Sequence, residues 1–358
     1  MATANIKEVA HRAGVSVGTV SNVLNRPETV AASTRQRVME AIRELGFVRN
    51  EAARHLRAGR SRIVGLIVLD VANPFFTDVA RGVEQLADEH NTMVVLCNSG
   101  ENPERERRHL EQLVEQRVLG VLITPVETVN PHLDRLAARG IPVVLVDRGA
   151  GRKQCSVAVD DQRGGRLAGS HLVEQGHRRI AFVGGPFSIQ QVSDRHAGLE
   201  AAVAEGAGAE ITVFTTPSLS VAEGRRAGER IAELPAAARP TAAFCANDLL
   251  ALGLLQEMTQ QGLHVPDDVA IVGYDDIDFA AAAAVPLSSV RQPREDLGRA
   301  AIELLLDEVE RKDEHTHRQV VFQPGLVIRE STSPRRRRSA HAKTAAGRAA
   351  AEQPIPTP

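Results

Sequence analysis

The chain is poor in aromatic residues and in cysteine. It has no tryptophan, one tyrosine and nine phenylalanines among 358 residues, and its three cysteines are Cys97, Cys155 and Cys245. The cysteines are far apart and form no CxxC pair, which excludes a disulfide framework and the usual spacing of a zinc site. We therefore expect a reducing, cytoplasmic compartment, no metal site, no cofactor, and three cysteines that act as small buried apolar residues.

Several other features are also missing. No run reaches about 18 continuous apolar residues, and the N-terminus lacks a basic-then-apolar leader, so we expect neither export nor a membrane partner. There is no P-loop, GxGxxG turn, Ser nucleophile elbow, HExxH or Cys/His pairing. Asp275 and Asp276 are adjacent and would face opposite sides of a strand, which makes them a poor acid/base pair. We therefore do not expect an enzyme.

Charge is unevenly distributed along the chain. Residues 1–62 hold 11 Lys/Arg and 5 Asp/Glu, and residues 331–358 hold 6 and 1, although the whole chain has a net charge of −2. The middle of the chain, residues 63–330, is therefore strongly acidic. A basic N-terminal module on an acidic body favours binding to phosphates by one end only.

The N-terminal segment has the pattern of a helix-turn-helix. An apolar helix that starts at Asn5 with Glu8 in capping-box spacing ends at Gly14, and Ser16 caps a second helix two residues later. Ser33 and Gln36 form a second capping-box match, which predicts a third helix that ends at Leu45. The second helix would then enter a DNA major groove. The alternative is a small three-helix domain with a solvated basic face.

Residues 50–61 allow two interpretations. They can form one short basic helix that is marginal alone, in which Leu56 wedges between base steps in a minor groove. They can equally form a linker whose Leu56 packs on the core.

From Arg62 onward, strands and helices alternate. Near-continuous apolar runs such as Ile63–Leu69 and Val143–Val146 are typical of buried parallel strands, and they are separated by helical stretches. There are too many strands for one ordinary sheet, so we predict two doubly wound parallel-sheet lobes, with late strands at Val320–Phe322 and Gly325–Arg329. Polar residues follow several strands, and a cleft lined by them suits a hydroxyl-bearing small molecule.

The run from Ile6 to Arg62 resembles the headpiece of the lactose-repressor (LacI/GalR) family of bacterial transcription regulators. The matching motifs are Ala13–Ser16, Thr19–Ser21, Val23–Asn25, Thr34-Arg35, Ile42–Phe47 and Ala53–Leu56. The resemblance implies a pseudo-palindromic double-stranded DNA operator, with Leu56 of each subunit inserted at its centre. It also implies that these residues contact DNA: Ser16, Val17, Gly18, Thr19, Ser21, Asn22, Asn25, Ala53, Leu56 and Arg57.

The remainder resembles the family's regulatory core, a periplasmic-binding-protein-like pair of lobes. The matching motifs are Asn73–Phe76, Asp194-Arg195-x-x-Gly198, Ala246–Asp248 with Ala251, and Gly273–Asp276. The implied effector contacts are Asn73, Phe75, Phe76, Asp147, Arg195, Asn247 and Asp275. Other roles remain open, since Phe75 can belong to the core, Asn247 or Asp248 can cap a helix, and Asp276 can cap or pair with a hinge residue. Leu219 stands near where some sugar-responsive relatives carry an aromatic.

The predicted organisation follows from both arguments. Residues 1–49 form the all-α helix-turn-helix domain, 50–61 a hinge helix, 62–330 the α/β core and 331–358 a disordered basic tail. Within the core, lobe 1 takes about 62–160 and 291–320, and lobe 2 takes about 161–290 and 321–330. We expect dimerisation through Gly82–Ala87, Leu110–Val114 and their counterparts near Asp248–Leu255.

The function that these features favour is an allosteric repressor of a carbohydrate-catabolic operon, which binds a sugar or sugar derivative and acts as a homodimer. Alternatives are an activator or architectural protein, a regulator that responds to a purine or another metabolite, and a solute-binding protein.

Overall fold

The structure is a computed structural model that describes residues 4–47, 61–127, 130–149, 153–206 and 208–333. The chain divides after Ser61 into two compact units, which are treated separately below. The predicted hinge residues Ala53, Leu56 and Arg57 lie outside the described residues, as does nearly all of the predicted tail.

The first unit contains the predicted helix-turn-helix. Helix α1 (Ile6–Ala13) ends at Gly14, whose φ of 63° is left-handed, and α2 (Val17–Asn25) begins after the Ser16 cap. A short 3-10 turn (Pro27–Thr29) leads towards α3 (Ala32–Leu45). Small and β-branched side chains fill the centre of the unit: Val9, Ala10, Ala13, Val20, Val23, Val38 and Ala41.

One predicted cap is confirmed and one is wrong. The Asn5 side chain accepts from the backbone N–H of Lys7 and Glu8, and the Glu8 side chain accepts from the Asn5 N–H, which completes the capping box. Ser33 does not cap α3, because this helix begins at Ala32, after an Ala31 that supplies no side-chain bond. Ser33 and Gln36 have the spacing of a capping box, but both residues lie within α3 and not at its cap.

The first lobe is built on a parallel sheet. Its strands lie in the order β11-β5-β4-β3-β1-β2. The strand bounds are β1 Ile63–Val68, β2 Met93–Asn98, β3 Gly120–Ile123, β4 Val143–Val146, β5 Cys155–Val159 and β11 Gln319–Phe322. The helices of this lobe are α4 Pro74–Glu89, α5 Pro103–Glu115, α6 Pro131–Ala138 and α12 Arg294–Arg311.

The second lobe repeats this plan with one antiparallel strand. Its sheet order is β12-β10-β9-β8-β6-β7, and β12 runs antiparallel to β10. The strand bounds are β6 Arg179–Gly184, β7 Glu210–Thr215, β8 Ala242–Cys245, β9 Ala270–Asp275, β10 Ser288–Arg291 and β12 Gly325–Val327. The helices are α7 Asp161–Glu174, α8 Gln190–Glu205, α9 Val221–Ala232, α10 Asp248–Gln260 and α11 Asp278–Ala281.

The chain passes between the lobes three times. The crossings lie between Val159 and Asp161, between Arg291 and Arg294, and between Phe322 and Gly325. The two later boundaries therefore differ slightly from the predicted ones. Residue 291 pairs in the second sheet, and Val321 and Phe322 pair with β5 in the first.

Close packing of two helices buries part of the predicted dimer surface. A Cβ added to Gly82 of α4 would lie 2.1 Å from the Glu295 carbonyl oxygen of α12, and one at Gly298 would lie 2.0 Å from the Val79 carbonyl oxygen. Glycine allows this approach because it carries no Cβ. Gly82, Val83, Leu86 and Ala87 are therefore buried within their own chain, whereas Glu84 and Gln85 are exposed and remain available for the expected contact with a second copy.

None of the described helices combines the length and the apolar content needed to cross a membrane.

Candidate functional site

Helix α2 presents a polar, solvent-exposed face. Gly18 and Asn22 are exposed, Val17 is 42% exposed, and Val20 and Val23 are buried on the other side. A helix with this division packs by one face and leaves the other free for a partner. The predicted outward positions are therefore on the surface, as a recognition helix requires.

The other predicted DNA contacts on this helix also hold it in place. The Ser16 Oγ accepts from the Thr19 N–H at 3.0 Å and lies 2.9 Å from the Thr19 Oγ1. The Asn25 Nδ2 donates to the Ser21 Oγ at 3.1 Å. These four side chains therefore fix the start and the last turn of the helix as well as lying near its outer face.

A cavity between the two lobes brings all seven predicted effector residues together. Residues from both lobes line it: Leu69, Asp70, Asn73, Phe75, Phe76, Glu101, Asp147, Ile189, Gln191, Arg195, Leu219, Asn247 and Asp275. The cavity lies where strands β1, β4, β8 and β9 end, as expected for ligand sites in open α/β sheets. We refer to it as the cleft.

Arg195 is the central charge of the cleft. Its side chain is 5% exposed, its Nε donates to the Asp161 Oδ1 at 2.8 Å, and its Nη1 donates to the Ala246 carbonyl oxygen at 2.7 Å. The guanidinium lies 3.7 Å from the centroid of the Tyr274 ring, and its Nη1 is 4.0 Å from the Asp275 Oδ1. Burial alone would lower the pKa of Arg195, but Asp161, Tyr274 and Asp275 raise it instead, so the guanidinium stays charged.

Three aspartates at strand ends hold a left-handed backbone. The φ angles are 54° at Asp147, 103° at Asp275 and 53° at Asp276. Non-glycine residues rarely adopt this region, and strain of this kind is concentrated at functional sites. At Asp147 and Asp275 the turn directs a carboxylate into the cleft.

Two hydrogen bonds between side chains join the lobes across the cleft. The Asn73 Nδ2 donates to the Asp275 Oδ2 at 3.2 Å, and the Gln191 Nε2 donates to the Asp147 Oδ2 at 2.9 Å. Each bond links a side chain of one lobe to a carboxylate of the other. The same carboxylates would accept hydrogen bonds from a ligand, so a ligand would compete with these two bonds.

The structure decides several of the alternative roles. Asn247 caps α10 through its Oδ1, which accepts from the Leu250 N–H, although it also borders the cleft. Asp248 is turned away, and accepts from the Ile277 N–H and the Ser289 hydroxyl. Asp276 pairs with Arg291 and Arg329, both at 2.6 Å, so its carboxylate is held within the second lobe and does not line the cleft.

The aromatic pair has a double role. Phe75 and Phe76 are only 2% and 6% exposed, and their rings meet edge to face with centroids 5.0 Å apart. Both pack in the core of the first lobe and both line the cleft. The two alternatives for Phe75 are therefore compatible.

Sequence reasoning missed part of the lining. Gln191 and Ile189 border the cleft because α8 begins at Gln190, four residues before the Asp194-Arg195 motif. The Gly184–Pro186 run that ends β6 was the available signal, since residues just after a strand end point towards the cleft. Glu101, from the loop after β2, was also missed.

Buried carboxylates in the cleft have raised pKa values. Burial and the nearby Asp161 carboxylate raise the pKa of Asp147 to about 7. Burial also raises the pKa of Asp275, against the opposing effect of Arg195. The cleft is therefore lined by more carboxyl groups than its one buried arginine can neutralise. Among these groups, Asp147 has a pKa of about 7.

Comparison with protein-family models gives two matches. Residues 5–50 match bacterial regulatory proteins of the lacI family, and residues 170–332 match a periplasmic binding protein-like domain. The first match takes in the helix-turn-helix, and the second takes in most of the second lobe together with α12 and β11 of the first.

Whole-length relatives agree with these matches. An HTH-type transcriptional repressor PurR from Aliivibrio fischeri is 34% identical over 339 residues, covering 93% of this chain and 99% of that protein. The transcriptional regulator CelR in complex with cellobiose is 32% identical, with a TM-score of 0.66, and 92% of this chain aligns with 99% of that one. The lac repressor dimer bound to operator is 27% identical, with a TM-score of 0.78 and the same coverage.

We expect Asp147→Asn to remove a pH dependence of stability. The folded pKa of about 7 exceeds the ordinary value of 3.8. The folded state therefore holds this proton more tightly than the unfolded state, so the free energy of unfolding falls as pH rises from about 4 to about 7. The slope from this group is at most about 1.4 kcal/mol per pH unit.

Urea unfolding of both proteins at several pH values between about 5 and 8 measures this difference. Asp88→Asn, an exposed change on α4, serves as the control and should keep the wild-type slope. Equal slopes in the wild type and in Asp147→Asn would show that Asp147 does not titrate in this range.

Proposed function

The chain belongs to the lacI family of bacterial regulatory proteins, and we propose that it is a dimeric operator-binding repressor controlled by a hydroxyl-rich small molecule. The family consists of DNA-binding transcription regulators, which agrees with the expectation that the chain is not an enzyme. The proposal rests on two features that occur in one chain. A helix-turn-helix unit comes first, and two lobes follow it with a cleft between them that is lined by carboxyl groups and has phenylalanines on one side. We retain the sequence-derived division into a domain at 1–49, a hinge at 50–61 and a core at 62–330.

The DNA-binding half of the proposal rests on α2. Its exposed Val17, Gly18 and Asn22 face away from the core of the unit, where they can approach base edges in a major groove. Val17 offers a methyl contact to thymine, and Asn22 offers the amide that pairs with adenine. Gly18 allows close approach of the backbone. Leu56 remains the proposed minor-groove wedge on sequence grounds.

Asn22→Ala is expected to weaken operator binding and to relax base preference at one position of each half-site. Loss of a bidentate amide contact costs about 1–3 kcal/mol, which is about a 5- to 150-fold rise in Kd. Mobility shifts at fixed salt on DNA from upstream of the gene measure this effect. Gln36→Ala, an exposed change on α3, is the control. An unchanged Kd for Asn22→Ala would remove this residue from the interface.

The effector half of the proposal rests on the chemistry of the cleft. Four carboxylates border it, at Asp70, Glu101, Asp147 and Asp275, while the guanidinium of Arg195 is already bonded to Asp161 and to a carbonyl. Carboxylates accept hydrogen bonds, so this lining favours a ligand rich in donors, such as the hydroxyls of a sugar or sugar derivative. The relative bound to cellobiose carries a sugar ligand on the same fold.

The apolar lining supports the same class of ligand. Phe75 and Phe76 cover one side from the first lobe, and the second lobe offers the aliphatic Ile189 and Leu219. A sugar ring has one weakly polar face that stacks on an aromatic ring, so it needs an aromatic surface on one side only. The flat rings of a nucleobase favour aromatic cover on both sides.

A purine is the second candidate, and the relatives favour it. The full-length relative from Aliivibrio fischeri is a repressor named PurR, with 34% identity. Ring N–H groups of a purine could also donate to Asp147 and Asp275. The choice between the two classes therefore depends on a direct binding experiment.

We expect one sugar or sugar acid to bind the purified protein and to change its affinity for operator DNA. Calorimetric titration with a panel of pentoses, hexoses, disaccharides and sugar acids, and with hypoxanthine and guanine, measures binding directly. Asp275→Asn should reduce the affinity about tenfold or more, because a hydrogen bond to a charged group is lost. Asp88→Asn should leave it unchanged.

Each outcome of this titration distinguishes the candidates. Binding of a purine and of no sugar would replace the proposed ligand class and leave the regulator intact. Binding of neither class, with a specific operator shift retained, would contradict both candidates. Equal affinity in Asp275→Asn would show that the ligand lies elsewhere.

The coupling between ligand and DNA follows from the two bonds across the cleft. A ligand that takes over Asp147 and Asp275 breaks their bonds to Gln191 and Asn73 and replaces them with its own. The angle between the lobes then depends on whether the cleft is filled. Any ligand that prefers one angle shifts the population of that state, and the DNA affinity changes with it.

Self-association is proposed through the outer strand of each sheet. Strands β2 and β7 form corresponding edges of the two sheets, and they expose Met93 (56%), Leu96 (43%) and Val213 (38%). Apolar side chains on unpaired edges favour burial against another chain. The lac repressor relative is a dimer on its operator.

Leu96→Glu is expected to shift a dimer towards monomer, because a buried unpaired carboxylate opposes association. Analytical ultracentrifugation at micromolar concentration reports the change. Val321→Glu places the same charge on β11 at the opposite edge of the first sheet and should leave the dimer intact. Dissociation by Val321→Glu alone would assign the interface to the other edge.

A further inference from the structure

Four potential metal ligands meet at a place that the cleft does not use. Cys155, at the start of β5, faces Glu308 near the end of α12 and His315 and His317 in the segment before β11. One ligand atom from each residue lies within 4.8 Å of all the others. Cys155 begins β5, whereas Asp147 follows the end of the neighbouring parallel strand β4. The cluster therefore lies at the N-terminal ends of the strands, and the cleft lies at their C-terminal ends.

The separations match the edges of a coordination tetrahedron. The Cys155 Sγ lies 3.2 Å from the His315 Nε2 and 3.8 Å from the His317 Nδ1. The Glu308 Oε2 lies 3.8 Å and 3.9 Å from the same two nitrogens. A tetrahedral zinc ion with bonds of about 2.0–2.3 Å separates its ligands by roughly 3.3–3.8 Å. These four separations are therefore close to those that one small ion requires, and all six lie within 4.8 Å.

The surrounding groups orient the ligands for this task. The His315 Nδ1 is 2.9 Å from the Asp307 Oδ2, which leaves the Nε2 to face the cysteine sulfur. A carboxylate behind the far nitrogen is the usual support of a metal-bound histidine. The Arg318 backbone N–H donates to the Cys155 Sγ at 3.4 Å. The Glu308 Oε2 has no hydrogen-bond partner among the described residues.

We propose that Cys155, Glu308, His315 and His317 form a tetrahedral site for a divalent transition-metal ion of the zinc type. Sulfur and imidazole ligands select zinc over magnesium or calcium, which bind oxygen. A thiolate and a carboxylate together neutralise a divalent cation. Cys155 and the His315 side chain are almost fully buried, and His317, whose side chain is 35% exposed, provides the route of entry.

The site would join three separate parts of the first lobe. Strand β11 is the edge of its sheet and pairs only with β5, over four residues. A metal held by the start of β5, the end of α12 and the segment before β11 would fasten this short edge strand. The chain passes from the end of β11 directly into the second lobe, so the metal would also stiffen that connection.

Cobalt titration of the full chain, freed of metal by a chelator and kept reduced, tests the proposal. Tetrahedral cobalt with a thiolate ligand gives a sulfur-to-metal charge-transfer band and strong visible bands, and added zinc should abolish both. We expect one ion per chain and a higher Tm with zinc. Cys155→Ser should lose the charge-transfer band, and His317→Ala should bind cobalt about tenfold or more weakly.

A matched control uses a thiol and an imidazole outside the cluster. The double variant of Cys97→Ser and His264→Ala should bind cobalt as the wild type does, because neither residue belongs to the cluster. If Cys155→Ser fails to fold, His317→Ala carries the test, since its side chain is partly exposed. An octahedral spectrum, the absence of a thiolate band in the wild type, or unchanged bands in both cluster variants would overturn the site. The residues would then form only a hydrogen-bonded Cys–His pair.

Discussion

The architecture of the cleft depends on one buried guanidinium. Arg195 stands between Asp161, Asp275 and the face of Tyr274, and its removal would leave several carboxylates facing one another out of water. Breaking a buried pair of this kind typically costs about 3–5 kcal/mol. The left-handed turns at Asp147 and Asp275 are tolerable in this setting, because the positive charge they surround offsets part of their strain. The proposed effector site therefore holds a charge that is fixed before any ligand arrives.

A small number of side-chain contacts links the two lobes across the cleft. Only two side-chain pairs, Asn73 with Asp275 and Gln191 with Asp147, link the lobes in the described cleft lining. Arg294 adds a third link, because it donates to the carbonyl oxygens of Asp275 and Asp276 and pairs with Asp78 of the first lobe. A ligand could replace the first two links, whereas the Arg294 link lies at the crossing between Arg291 and Arg294. In the proposed mechanism, the lobes would change their angle about this link.

Short sequence motifs predicted the local features of this protein, but they did not predict its long-range contacts. The capping box at Asn5 and the turn at Gly14 follow from short motifs, and the meeting of polar residues at the strand ends follows from the rule for open sheets. The start of α8 at Gln190 and the close approach of Gly82 to α12 depend on tertiary packing that spacing does not encode. The expectation of no metal site considered only neighbours in sequence, whereas Cys155 and His315 are separated by 160 residues and meet through the pairing of β5 with β11.

The triple passage of the chain between the lobes has a consequence for recombination. Each lobe is assembled from segments that are distant in sequence, and the last strand of each sheet comes from the final few dozen described residues. A single crossover between two such genes would therefore combine sheets whose edge strands come from different parents. Exchange of one complete lobe requires several joints, at 159–161, 291–294 and 322–325. The headpiece, by contrast, is contiguous and can be exchanged with one joint, so DNA specificity can be reassorted far more easily than effector specificity.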